Sequence, residues 1–318
     1  MTESAKPTTH HQQHTTVVAA AADVLYALIA DATRWPVLLG PTVHVEREAD
    51  HGDRETLRLW ATANDSVRTW TSERVKDPDE LKIVFRQLSS PAPLASMGGQ
   101  WRLERISDQE TRAVLDHDFS VAGDRPEDVE WFRTAVDRNS TAELAAMKRL
   151  AENWELQDEL TMSFADSVHI GAPAEAVFAY LDEAEKWPER IPHVGRLDLT
   201  EPEPGLQVME MDTTTADGST HTTRSVRVCF PTNRIVYKQI ETPELMRAHT
   251  GSWSLAQTAG GVVVTAEHTV VIEPLAVTKV LGQDATLATA RTFIRKALGR
   301  NSTTTLQCAK AFTESDGR

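Results

Sequence analysis

The sequence predicts an α+β protein built as two tandem domains, and three observations carry that prediction. The chain repeats itself: Trp35-Pro36 returns as Trp187-Pro188, Ile83-Val84-Phe85-Arg86-Gln87 as Ile235-Val236-Tyr237-Lys238-Gln239, and Gly99-Gln100-Trp101 as Gly251-Ser252-Trp253, each 152 positions on. Each copy strings strand patterns together with no helix between them, which gives an antiparallel meander rather than a parallel sheet. Each copy then closes on one long amphipathic helix. A two-fold repeat of this length means whole domains in tandem, not a solenoid. Each half of the 318 residues is large enough to bury its own core. The expected division is a disordered tail over 1–14, a first domain over 15–157 and a second over 158–314.

The elements follow in order. The tail is polar, with His10, His11 and His14 loosely clustered and no apolar run of the kind a signal peptide carries. Each copy opens on a β-like segment, Thr15 to Ala19 and Ser167 to Ile170, then a turn that starts a short helix. Leu25, Leu28 and Ile29 form its stripe in the first copy. Val177, Phe178 and Leu181 do so in the second, where Pro173 stands near the first helical position. The Trp-Pro pair is expected to end this helical section, because proline pushes the residue before it out of the α region. Strand patterns run over Thr56 to Thr62, Ser66 to Val75, Leu81 to Gln87, Gly99 to Arg105 and Ala113 to Phe119. The closing helices are expected at Glu127 to Leu156 and about Asp284 to Thr313. Arg138-Asn139-Ser140-Thr141 returns as Arg300-Asn301-Ser302-Thr303 ten residues later than the common offset, so the second copy carries an insertion around Leu275 to Asp284.

Composition excludes several classes. A net charge of −14 is wrong for nucleic acid and for an anionic membrane surface. No apolar run reaches the ~20 residues of a membrane span. An acidic partner retains two local basic runs to dock on, Lys148-Arg149 and Arg291/Arg295/Lys296, which also read as ordinary solvated helix faces. Cys229 and Cys308 are the only cysteines and have no metal-site spacing, so they read as free thiols of a soluble, cytoplasmic protein.

Side chains alternate faces along a strand, which locates polar residues on apolar faces. His117 shares a face with Ala113, Leu115 and Phe119, and His268 with Val262, Val264, Ala266 and Val270. A lone inward histidine is more often a satisfied core residue than a catalyst, and its recurrence in both copies fits either reading. Trp70, Ser72 and Arg74 share a face of one strand, and Asn139 and Glu143 lie one turn apart on a helix stripe with Val136, Met147 and Leu150. If both faces line a cavity, Arg74, His117 and Glu143 converge. A buried Arg–Glu pair can be structural, but an arginine, a histidine and a carboxylate together in an aromatic-walled cavity point to a site. Six of the eight tryptophans (Trp35, Trp60, Trp70, Trp101, Trp131, Trp154) fall in the first half, which suits a flat or cyclising ligand.

The segment Thr69-Trp70-Thr71-Ser72-Glu73-Arg74, with His117-Asp118-Phe119 and Arg138-Asn139-Ser140-Thr141-Ala142-Glu143, resembles the aromatase/cyclases of bacterial type II polyketide synthases, and the tandem layout resembles their di-domain class. The resemblance spans roughly Thr15 to Glu314. It implies a START-like helix-grip fold in each domain, with an interior pocket for a poly-β-ketone tethered to an acyl carrier protein. It also implies other synthase subunits as partners, and first-ring aldol cyclisation, dehydration to an aromatic ring, or both. It places the functional arginine at Arg74, the strand histidine at His117 and the helix carboxylate at Glu143, with Trp35, Trp101, Ser72 and Asn139 as pocket residues beside Trp70.

The second copy departs from this pattern. Its candidate pocket residues are Trp187, Arg227, Trp253, His268 and Asn301, but Thr305 replaces Glu143, and Ser225-Val226-Arg227 sits one residue off the common offset. If the apolar set Val226, Val228 and Phe230 faces the core, Arg227 points to solvent. The chemistry is therefore expected in the first domain. A methylene between two carbonyls is already acidic, so the reaction needs no metal or other cofactor. Arg74 would stabilise oxyanion charge, His117 would move the proton, and Glu143 would orient them or shuttle the proton. A START-like carrier that binds a lipid or polyketide without transforming it fits the fold equally well; the polar trio favours an enzyme.

Overall fold

The computed structural model describes residues 7–63, 66–90, 92–214, 218 and 220–315. Its internal contacts divide the chain into two compact units, Met1–Leu156 and Gln157–Arg318. The first unit runs β1 (Thr9–Val18), α1 (Ala22–Ala30), α2 (Trp35–Leu38), β2 (Thr42–Asp50), β3 (Arg54–Ala63), β4 (Ser66–Asp77), β5 (Lys82–Gln87), β6 (Leu94–Ser107), β7 (Glu110–Val121) and α3 (Pro126–Glu152). Helix α4 (Trp154–Leu160) leads on to the second series: β8 (Thr161–Ile170), α5 (Ala174–Asp182), α6 (Trp187–Arg190), β9 (Val194–Glu203), β10 (Leu206–Thr214), β11 (Thr220–Phe230), β12 (Arg234–Glu241), β13 (Met246–Thr258), β14 (Gly261–Ile272), α7 (Pro274–Leu281) and α8 (Leu287–Ser315).

Each unit is one seven-stranded antiparallel sheet of the same order, β1-β7-β6-β5-β4-β3-β2 and β8-β14-β13-β12-β11-β10-β9. Register shifts at Thr42/His44, Arg47/Ala49 and Leu94/Ser96 interrupt the first ladder, and such bulges bend a sheet. Helix α3 starts where Pro126 needs no backbone donor and Glu127 and Asp128 face the positive helix end. It buries Val136, Ser140, Leu144, Met147 and Ala151. Leu144, Met147 and Ala151 pack with Leu25, Leu28, Trp101 and Leu115 in the first core. Leu306 and Ala309 of α8 do the same against Tyr180, Trp253 and Val264.

The glycines of the repeated Gly-x-Trp block have a packing reason. A Cβ on Gly99 would stand 2.0 Å from the Asp116 carbonyl and 2.8 Å from the Phe85 ring, and one on Gly251 2.3 Å from the Tyr237 hydroxyl. An aromatic side chain of the neighbouring strand crosses the backbone there in both copies.

Two expectations need correction. Residues 9–14 are not a tail: β1 starts at Thr9 and pairs with β7 along its length, placing His10, Gln12 and His14 inward. His10 packs on Phe119 at 5.3 Å and His14 Nε2 lies 2.9 Å from Asp137 Oδ1. The expected disorder of residues 1–6 lies outside the described residues. Trp-Pro does not end the helical section; a 3-10 turn over Ala32–Arg34 precedes it, and the proline opens the short helix α2, where its missing N–H costs nothing. The charged edge strands β2 and β9 escape the sequence pattern because an edge carries polar side chains on both faces. The inserted stretch of the second copy forms most of α7, opened by Glu273, which accepts a hydrogen bond from Leu275 N.

Candidate active site

Arg74 sits on β4 with 3% of its surface exposed. Its Nη2 donates to the carbonyl of Ile29 at 2.6 Å, at the end of α1, and its guanidinium lies 5.0 Å over the Trp35 ring. A cation at a helix C-terminus is favourable, so this seating has a structural rationale of its own. The third neighbour was not foreseen. Glu55, wholly buried on β3 and directly opposite Arg74 in register, brings Oε1 to 3.2 Å from Arg74 Nη1. Its Oε2 lies 3.0 Å from Arg47 Nε and 3.3 Å from Lys76 Nζ. Alternation locates Glu55 once β3 is started two residues earlier: Glu55, Leu57 and Leu59 form one inward row against Arg74, Ser72 and Trp70. The Arg74–Glu55 contact is coulombic rather than a fork, for Nη1 makes no hydrogen bond among the described residues. A donor so buried costs about 1–3 kcal/mol if nothing ever pairs with it. Burial draws the Arg74 pKa down, while Glu55 chiefly opposes that shift.

Glu143 occupies the flank of α3. Its side chain keeps some accessible surface, yet desolvation raises its pKa from 4.5 to about 7, with Arg74 pulling the other way. The carboxyl is thus largely withdrawn from bulk water although the residue is not wholly buried. His117 behaves oppositely. Burial, helped by nearby His14, lowers it to about 4, so the imidazole is neutral at physiological pH. Its Nδ1 lies 3.2 Å from Ser140 Oγ, and Phe85 packs edge-on at 5.4 Å. The structure thus couples Arg74 to Glu143, but no hydrogen bond among the described residues joins His117 to either.

The other pocket candidates divide. Trp70 packs on Leu57 and Leu59 beside Trp35. Trp101 is a core residue at 4% exposure. Ser72 Oγ donates to the Arg86 carbonyl at 3.2 Å, a strand contact. Asn139 is exposed, and the residue that meets the strand histidine is its neighbour Ser140, because the buried stripe of α3 runs 136, 140, 144, 147, 151. Trp131 is 57% exposed and Trp60 lies on the opposite face of β3 from Leu59, against His44 and Arg58, so neither walls the pocket. The basic run on α8 is also consumed: Arg291 donates to the Thr161 carbonyl and Arg295 pairs with Asp166 at 2.7 Å.

In the second domain Arg227 does not reach solvent. It is 3% exposed, donates to the Leu181 carbonyl at 2.6 Å and lies 5.1 Å over Trp187, matching the carbonyl and tryptophan contacts of Arg74. The parity argument fails because both faces of β11 are covered here: Thr223, Ser225 and Cys229 are buried, and so are Val226 and Val228. Trp187 stacks on Trp253 at 6.0 Å. Thr305 Oγ1 donates back to the Asn301 carbonyl at 3.0 Å, so a threonine stands where Glu143 stands on α3, and Asn301 is half-buried. His268 lies at the centre of a wider network than His117, which among the described residues shares only the serine of the closing helix with it. Its Nδ1 is 3.0 Å from His249 Nε2 and 3.1 Å from the Tyr237 hydroxyl, and its Nε2 is 3.2 Å from Ser302 Oγ. Burial lowers His268 to about 4 and His249 to about 3. His249 shares its strand face with Gly251 and Trp253, which is the signal that could have found it. An open hollow of about 570 Å³ beside α8, bordered by Arg300 and Thr303 among others, includes none of these pocket residues.

With this geometry in place, the comparisons with known proteins are specific. The family model described as polyketide cyclase/dehydrase and lipid transport matches residues 9–152 and again 161–309. The granaticin polyketide synthase bifunctional cyclase/dehydratase of Streptomyces violaceoruber is 46% identical over 304 residues, 95% of this chain and 94% of that protein. The actinorhodin polyketide synthase bifunctional cyclase/dehydratase of Streptomyces coelicolor is 41% identical over 317 residues, 96% of this chain and 98% of that protein. Among solved structures, the di-domain aromatase/cyclase BexL of the BE-7585A biosynthetic pathway matches with a TM-score of 0.88 and 46% identity, over 96% of this chain and 99% of its own. StfQ, the di-domain aromatase/cyclase of the steffimycin pathway, matches with a TM-score of 0.85 and 37% identity over the same shares.

Proposed function

Because this chain belongs to the polyketide cyclase/dehydrase and lipid transport family, we propose that its first-domain interior is the acid–base pocket that cyclises and dehydrates a poly-β-ketone. The chain is a di-domain aromatase/cyclase, an enzyme of the bifunctional cyclase/dehydratase type. One observation carries the assignment of the pocket: a carboxyl group tuned to about 7 stands within electrostatic reach of a buried arginine whose Nη1 has no hydrogen-bond partner among the described residues. A group titrating near neutrality is matched to give and take protons in turn.

Glu143 rather than His117 is therefore the proton carrier in this reading. As carboxylate it removes a proton from a methylene flanked by two ketones. The resulting carbanion attacks a distant ketone carbon, a C–C bond forms, and the new alkoxide takes the proton back. Arg74 Nη1 donates to the oxygen on which charge develops, where a preorganised donor in a dry site is most effective. Loss of water then repeats the proton removal and protonates the departing hydroxyl. His117, neutral and held by Ser140, contributes a hydrogen bond and shape rather than charge. First-ring closure, a substrate delivered by an acyl carrier protein, work beside the other synthase subunits, and a cytoplasmic setting for the free thiols Cys229 and Cys308 complete the proposal.

The alternative, a carrier without chemistry, gives no role to a carboxyl poised at neutrality. The deciding experiment adds the protein, or its Glu143→Gln and Arg74→Ala variants, to a minimal type II polyketide synthase and identifies the products. The reading expects the variants to yield the spontaneous shunt products of a synthase running alone. Native cyclised product from folded Glu143→Gln and Arg74→Ala proteins would support the carrier instead.

A further inference from the structure

The duplication provides an internal control on Arg74. Lys76 N donates to the Asp53 carbonyl at 2.6 Å and Cys229 N to the Gly205 carbonyl at 2.7 Å, which fixes the alignment of the two hairpins. In that alignment Glu55, opposite Arg74, corresponds to Gln207, opposite Arg227. Arg47 and Lys76 correspond to Leu199 and Cys229. The second domain thus keeps the arginine, its helix-end carbonyl and its tryptophan, but has no counterpart of Glu55, Arg47 or Lys76; its nearest carboxylate is Asp182, at the end of α5, which accepts from Gln207 Nε2 at 3.3 Å and acts on Arg227 through its charge. A fully buried carboxylate surrounded by cations is costly to assemble, and a fold that needed only the arginine could use the neutral set instead.

We propose that Glu55 is the positioning residue of the first-domain reaction: it holds Arg74, Arg47 and Lys76 as one charge-balanced unit and so keeps Arg74 Nη1 aimed at the substrate oxygen. The proposal rests on the acid–base reading of that pocket. Glu55 does not touch the substrate. Its Oε2 is occupied by Arg47 and Lys76, and its Oε1 approaches Arg74 without consuming the donor. The remaining charged and titratable groups of the cluster are Asp50, 3.2 Å from Arg47, and Asp77 and the Tyr26 phenol, which feel the same field. In the second domain Phe178 stands in the place of Tyr26. Without Glu55 the cations repel one another, Arg74 shifts, and its full charge falls on Glu143.

The test compares the parent, Glu55→Gln, and a graft carrying Arg47→Leu, Glu55→Gln and Lys76→Cys, all as full chains with the minimal synthase. The graft reproduces a set that the second domain already folds around, so it remains informative if the single variant fails to fold. The graft is expected to melt cooperatively and to lose on the order of 10²-fold in kcat with little change in KM, as a small misplacement of a catalytic group does. Folded Glu55→Gln should also move the limb of the pH–rate profile that belongs to Glu143 downward by about one pH unit, since a removed negative charge makes ionisation of a neighbouring carboxyl easier. Glu55→Asp should restore part of the rate. Unchanged kcat in a folded graft overturns the proposal, as does an unmoved pH limb in folded Glu55→Gln. Arg74→Ala is run alongside. If it too leaves product formation intact, the acid–base reading has failed; if it alone is impaired, only the role of Glu55 has.

Discussion

Replacing Glu143 by glutamine should make the protein more stable, and increasingly so as pH rises. Burial lifts the carboxyl from 4.5 to about 7, so the folded state prefers the protonated acid. Stability drawn from that preference is fully present below pH 4.5 and is lost as pH climbs through 7. A shift of some 2.5 units at ~1.36 kcal/mol each sets the ceiling at ~3 kcal/mol. Glutamine has nearly the same shape and never ionises. Guanidinium unfolding of parent and Glu143→Gln, at half-unit steps from pH 4.5 to 8.5, would read the difference in unfolding free energy. That difference should grow by up to ~3 kcal/mol in favour of glutamine and level off above about pH 8. A pH-independent difference, or one that grows in favour of glutamate, would show that Glu143 is solvated and would remove the basis for its proton-carrying role.

The histidines give the opposite sign. His117, His249 and His268 are all held well below their ordinary 6.5, so their contribution is present above that pH and lost as pH falls toward about 4; melting of His268→Gln against parent from pH 7 to 4 should show the variant losing less stability on acidification. Ser140→Ala removes the hydrogen bond to His117 Nδ1 and should cost about 1 kcal/mol. Exposed Asn139→Ala should cost almost nothing by the same thermal melt, and a larger effect at Asn139 would contradict the observed helix face. Gly99→Ala and Gly251→Ala drive a methyl into a neighbouring strand and should each lower stability by about 1–3 kcal/mol or prevent folding, measurable by denaturant titration.

The architecture was legible because periodicity and repetition are properties of the chain itself. Trp101 and Trp253 fall on equivalent strands because the 152-residue offset holds through the strands that pair with them. Arg74, Trp70 and Ser72 were placed on one face by alternation alone. The failures have physical causes. Arg227 was read as facing water because alternation distinguishes faces only where one of them is wet, and β11 is dry on both. Asn139 was preferred to Ser140 because helical spacing leaves a residue's position on the stripe uncertain by a fraction of a turn. Glu55 went unnoticed because its strand was started two residues late, at Thr56 rather than Arg54, although its row is otherwise apolar. Nothing in a single sequence indicates that Glu143 titrates near 7; that follows from how deep the carboxyl lies.

The opening strand bears on how the molecule can be handled. Six of the ten register pairs that tie β1 to β7 are made by residues 9–14, a polar, histidine-rich stretch that looks dispensable in the sequence. Trimming the chain to Thr15 would strip β7 of its neighbour from Leu115 to Ser120 and present those N–H and C=O groups to any strand that drifts past. Shortened versions should therefore clump rather than merely soften, and a cleavable handle on this side needs spacing ahead of Thr9. The matching strand β8 runs no such risk, since the chain enters it from α4. Duplication has left the two sheets alike in plan and unequal in how much of their edge a careless cut can expose.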